Sequence, residues 1–150
     1  MVRREEVDLE FASSVLQELV DAHDRVDYSE PLQAVLVLLE RQHADMFSRQ
    51  SDADGNSWPP LSAPTMAKTR RDTILAGDRR LRDSLTSSSG DAVREQDSES
   101  LLFGTSVPYS FYHQSGTRVL PQRRHVGIRD ETVDQLAELV ADHEVDELKV

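Results

Sequence analysis

Seven residues, Leu32, Val35, Leu36, Leu39, His43, Met46 and Phe47, follow one another at steps of 3, 1, 3, 4, 3 and 1, and no other feature constrains the fold as strongly. Side chains at that spacing share one face of an α-helix, and a face so apolar has to be covered. Val37 and Leu38 fall off the stripe, so the helix is expected to be covered on two sides. Ser29 reads as its N-cap, with Glu30 and Pro31 in the first turn, where a missing N–H costs nothing. The helix should run to about Gln50, with His43 as a core-edge histidine rather than a ligand. An earlier helix, from about Leu9 to Ala22, carries Phe11, Val15, Leu16, Leu19 and Val20 on its own stripe.

Beyond the helices the pattern changes. Residues 51–64 form a polar loop containing Gly55, Pro59, Pro60 and Pro64. A short helix is expected from about Ala63 to Leu75, ending at Gly77 as a C′ glycine. Strands are expected at Leu81–Ser87, Ala92–Gln96 and Ser100–Thr105, with a turn over Ser87–Asp91. Pro108–Gln114 reads as one or two helical turns. Residues 115–128 read as a long loop with a short strand at its end. Asp130 is expected to cap a last helix carrying Val133, Leu136, Ala137 and Val140. Helices, then strands, then a helix favour an α+β fold with a small antiparallel sheet, in one domain spanning 1–150. Its parts are a helical 1–50, a Trp-Pro loop 51–62, a mixed 63–128 and an acidic helix 129–150.

With 150 residues, 37% of them hydrophobic and 5% aromatic, the core should be modest and partly completed by neighbouring subunits. The absence of cysteine excludes disulfides and thiolate metal sites. Met1–Glu6 turns acidic at once and does not read as a signal peptide, and the longest apolar run, Ala34–Leu39, is too short to span a bilayer. A soluble protein made in a cytoplasm is the expectation.

The formal charge of -11 argues against general nucleic-acid binding. It is unevenly spread, at -6 over residues 1–50, +3 over 101–128 and -6 over 129–150. Fifteen arginines against two lysines, Lys68 and Lys149, suit either a halophilic host or a GC-rich genome.

Chemistry-bearing patterns are weak. Asp52-Ala53-Asp54-Gly55-Asn56 mimics the start of a calcium loop, but Ser57 stands where its glycine belongs and Ala63 where its closing glutamate belongs. An Asx-rich turn is the better reading. The histidines at 23, 43, 113, 125 and 143 lack the pairing of a zinc helix, and no nucleophile elbow or phosphate loop is present. No cofactor, metal site or catalytic residue is expected. Arg70, Arg71, Arg79, Arg80 and Arg82, interleaved with Asp72, Asp78 and Asp83, read as a solvated ion-pair face before a site for phosphate or an acidic partner.

Two segments are more distinctive. In Gly55-Asn56-Ser57-Trp58-Pro59-Pro60-Leu61 the sole tryptophan sits beside two prolines in a polar loop, an anchoring ring on a stiff chain. Leu75-x-Gly77 then leads to Leu81 and Ser84-Leu85. The second segment is Phe103-Gly104-Thr105-x-x-Pro108-Tyr109-Ser110-x-x-His113-Gln114-x-Gly116, followed by Leu120-Pro121-x-Arg123-Arg124-His125. In this order and spacing the elements resemble the phage virion-morphogenesis family of Mu-like tail-completion proteins. The family pattern has alanine where Ser110 stands, and proline then an aromatic where Arg124 and His125 stand.

The resemblance implies a non-catalytic subunit of a tailed phage or archaeal tailed virus. Its place would be the neck, at the head–tail junction of the virion, after assembly in the host cytoplasm. It also implies a homo-oligomeric ring, a hexamer by tail symmetry, that meets connector and tail proteins and lets DNA pass unbound. Tail-terminator and head-closure rings are alternatives within the class. The positive 101–128 segment, with Arg123 and Arg124, is expected to meet an acidic helix of a neighbouring copy. A small acidic regulatory or binding domain is the alternative from another class, and a hydrolase using His113 is a third.

Overall fold

The computed structural model describes residues 9–77 and 79–148, with side chains from Ser14 onward. The Met1–Glu6 segment, the Phe11 side chain, Asp78 and Lys149 lie outside the described residues. The chain runs α1 (Leu9–His23), α2 (Ser29–Arg49), α3 (Ala63–Thr69), α4 (Arg80–Thr86), β1 (Ala92–Gln96), β2 (Leu101–Thr105), α5 (Ser110–Ser115) and α6 (Asp130–Glu147). This is an α+β fold with helices at both ends and a two-stranded antiparallel sheet.

Helix α2 is less fully covered than its off-stripe Val37 and Leu38 suggested: Val37 is 48% exposed and Leu38 half-buried. It packs against α4, α6 and β2, and buries Val35, Leu39, Gln42, His43, Met46 and Phe47. Phe47 reaches a cluster with Trp58, Ile74, Leu81, Leu85 and Val107, around which Leu61, Leu75, Phe103, Tyr109 and Val126 pack. In the sheet Ala92 pairs with Thr105 and Gln96 with Leu101. Arg94, on β1, lays its guanidinium 4.0 Å over the Phe103 ring and bonds Glu40 and the carbonyl oxygens of Gly104 and Ser84. It thereby ties the sheet to α2 and α4.

Several boundaries differ from the sequence reading. The expected strand Leu81–Ser87 is helical through Thr86: Leu81, Ser84 and Leu85 are the buried positions, and steps of 3 and 1 are helical spacing. In so short a segment serine and aspartate mask the period. Helix α3 stops at Arg70, in the left-handed conformation with φ 53°, well before Gly77, and a non-helical strap follows. Ser29 is the first residue of α2 and not its N-cap; Tyr28 holds the cap position without a side-chain bond, and the Ser29 N–H donates to the Asp27 carboxylate at 2.8 Å. Asp130 does not cap α6 either; it lies in the first turn, where a carboxylate complements the helix dipole. No strand forms at the end of the 115–128 loop.

Helix α1 stands apart. The packed pairs of elements are α2 with α4, α6 and β2, α4 with both strands, and the two strands; among the described residues α1 joins none of them to that extent. Its base is pinned by buried Val26 and by Tyr28, whose hydroxyl donates to Glu144 of α6 at 2.7 Å. That bond to a carboxylate pushes the Tyr28 phenol up to about 12.

Candidate assembly site

The residues that the two sequence segments singled out converge on one joint of three loops: residues 51–61, helix α5 with its flanks, and residues 121–127. Trp58 is buried, its ring meeting Phe47 edge-on at 5.3 Å, and its indole N–H donates to the Arg124 carbonyl at 3.0 Å. The tryptophan therefore anchors its own subunit, joining the Trp-Pro loop to the 121–127 loop. Arg123 returns the connection. Its Nε and Nη2 donate to the carbonyls of Pro59 and Pro60 at 2.8 and 2.9 Å. The fixed fork of a guanidinium suits two successive carbonyls.

Gln114 brackets the same loop from α5. Its Oε1 accepts the N–H groups of His125 and Val126 at 2.9 and 3.0 Å, and its Nε2 donates to the Val126 carbonyl at 2.9 Å. Gln42 of α2 does the equivalent further on, accepting from Arg129 N–H and the Thr132 hydroxyl and donating to the Gly127 carbonyl. Sequence reading passed over Gln42 and Arg94, because one glutamine or arginine among many carries no local signal of its partners.

Gly116 ends α5 at φ 73° and ψ 163°, and a Cβ there would lie 3.0 Å from the Gln122 backbone nitrogen. Only glycine suits that close approach. The Thr105 hydroxyl meets Ser84 Oγ at 2.6 Å and accepts the Val107 N–H, turning the chain from β2 toward α5. Tyr109 packs on the core, whereas Gly55, Pro60, Gly77, Pro108 and Pro121 lie at the surface and Gly104 sits part-buried in β2.

Of the three departures from the family pattern, Ser110 and His125 are buried and Arg124, itself exposed, is paired within the subunit. Arg124 Nη2 lies 2.7 Å from both Asp52 and Asp54, so a guanidinium sits between the carboxylates of the calcium-like sequence. Burial by itself raises the Asp52 carboxyl, but Arg124 and the Asn56 amides outweigh it and hold Asp52 below the usual range. His125 is fully buried, with Nδ1 3.0 Å from the Arg123 carbonyl and Nε2 2.7 Å from Ser110 Oγ. The carbonyl requires the proton on Nδ1, so the Ser110 hydroxyl donates to Nε2. Burial lowers the ring to about 4, and it is neutral at pH 7.

This serine–histidine pair is not arranged for hydrolysis. The outer histidine nitrogen faces a carbonyl rather than a carboxylate, and both side chains are buried. His113 does border a cleft of about 430 Å³, but no serine or carboxylate lines it among the described residues, and the buried His113 Nδ1 has no hydrogen-bond partner there. No group of three or more metal-ligating side chains and no helix long and apolar enough to cross a membrane occurs among the described residues.

Arg123 and Arg124, expected at a contact with a neighbouring copy, are thus engaged within the subunit. Exposed apolar residues include the α1 stripe and, beside the joint, Phe111, Tyr112, Val119, Leu120 and Ile128.

The model of the phage virion morphogenesis family matches residues 7–144. No curated protein and no solved structure matches the chain. The match takes in every element and all three loops of the joint, and the chain belongs to the phage virion morphogenesis family, whose role is in building the phage particle.

Proposed function

We propose that this protein is a non-catalytic ring subunit of the head–tail junction, completing the tail or joining it to the capsid. The observation that carries the reading is the use to which the family motifs are put. Trp58, Gln114, Gly116 and Arg123 brace loops against one another, as a subunit under mechanical load requires, and hold no arrangement of reacting groups. A helix whose apolar stripe is exposed among the described residues supports assembly with other chains. Tail symmetry makes the hexamer the natural ring, with connector and tail proteins above and below. The strongly acidic balance suits a channel wall past which DNA slides without sticking.

Electron microscopy of particles assembled without this protein tests the role. Filled heads separate from finished tails are expected; joined, normal virions would refute it.

A further inference from the structure

We propose that α1 of one copy docks into the arginine-edged cleft of the next copy, an inference that rests on the ring reading above and gives it a contact. On α1, Val15, Leu16, Leu19 and Val20 lie on one face and are 38%, 63%, 58% and 52% exposed. An apolar ridge of that kind is unstable in water unless another surface covers it. Between Ser14 and Asp24 the helix and its end carry Glu18, Asp21 and Asp24 and neither lysine nor arginine.

The matching surface flanks the strap that follows α3. On one side of the strap lies the cleft of about 430 Å³, walled by Leu61, Leu75, Ala76, Leu81 and Tyr109. On the other lies a second cleft of about 580 Å³, and the two share Arg71 and Gly77. Arg79 and Arg82 border the second, Arg123 the first, and no carboxylate lines either among the described residues. Asp72 and Asp83, which dilute this charge along the sequence, do not line the clefts. Of the arginine cluster, Arg71, Arg79 and Arg82 line the clefts, whereas Arg80 is ion-paired with Asp91.

Arg123 adds a separate argument. It is 5% exposed, its two bonds are to carbonyls, and burial without a counter-charge pulls its ionisation below the ordinary guanidinium range. A buried cation is ordinarily met by an anion. Insertion of the α1 ridge brings an apolar face to the cleft wall and its flanking Glu18 and Asp24 toward the arginines, while Asp21 stays on the far side of the helix. Because the two surfaces differ, the contact is head-to-tail and closes into a ring when the rotation allows.

The native chain has no cysteine, so engineered thiols report the contact directly. Leu19→Cys is exposed on the ridge, and Gly77→Cys lies between the clefts with nothing within 4 Å of its new Cβ. Arg82→Cys, also exposed, serves as a second cleft position. Mixing full-length Leu19→Cys with either cleft variant under mild oxidation should give a covalent heterodimer, while each variant alone stays monomeric on a denaturing gel. Leu19→Cys cross-linking to itself would show the ridge pairing with its own kind and overturn the proposal. No heterodimer with either cleft position, or DNA blocking the clefts in the mixture, would overturn it as well. If the cross-link fails while particles lacking the protein still show unjoined heads and tails, this contact falls and the assembly role stands.

Discussion

Ser110 Oγ and His125 Nε2 lie 2.7 Å apart in the interior, and each is a position where this chain departs from the pattern its motifs resemble. Where that pattern has alanine and an aromatic, the chain has a hydroxyl and an imidazole that satisfy each other. Ser110→Ala alone strands the imidazole nitrogen, and His125→Phe alone strands the hydroxyl, each at about 1–3 kcal/mol. The double variant should recover about 1–2 kcal/mol of the summed loss in a urea-unfolding cycle. Additive losses would show that the two positions do not act as a pair.

Acid should weaken the fold before the carboxylates titrate. Burial holds the His125 ring at about 4, and burial first of all lowers His43 as well. An unfolded histidine titrates near 6.5, so between about pH 6.5 and 4 the unfolded chain binds protons that the folded chain does not. Stability is therefore full above that window and falls as pH drops through it, with His125 contributing on the order of 3 kcal/mol. Urea midpoints at pH 7 and 4.5 measure the fall, and the Ser110→Ala/His125→Phe variant should show a smaller one.

Arg123 should hold Trp58 in place from a distance. Removing its bonds to Pro59 and Pro60 in Arg123→Ala should cost about 2–3 kcal/mol and free the Trp-Pro loop. Arg123→Lys should rescue little, because an ammonium lacks the fork that meets both carbonyls. Trp58, the sole tryptophan, reports the change as a red-shifted, more quenchable emission. Native-like emission in Arg123→Ala would show the loop to be held by other contacts.

Gly116→Ala should be among the costliest small substitutions. It forces an alanine to φ 73° and drives its Cβ against the Gln122 backbone. A loss of about 1–3 kcal/mol is expected from the strain, read as a lower thermal midpoint. Gly77→Ala, with open space around it, should be nearly silent.

The long α2 stripe, the sheet strands and the short α5 were legible in the sequence because each has a clear period or a sharp turn at its end. Helix α4 was not, since seven residues with serine and aspartate at polar positions fit a strand nearly as well. The strap after α3 was hidden because Arg70, Leu75 and Arg79 adopt positive φ without being glycine, a conformation imposed by their surroundings. At the site, the motif residues were legible as a set but their direction was not. Arg123, Arg124 and His125 read as polar surface, yet Arg123 and His125 are buried and all three bond partners 15 to 72 positions away or neighbouring carbonyls, which local pattern does not reveal. The α1 stripe was legible as a helical face, but its spacing does not say that Val15, Leu16, Leu19 and Val20 stay exposed.

Cryo-electron microscopy of the purified virion neck tests the proposed place in the particle most directly. A ring of copies of this fold is expected at the head–tail junction, six around the tail axis. Absence of the chain from the neck, or its distribution along the tail tube, would contradict it.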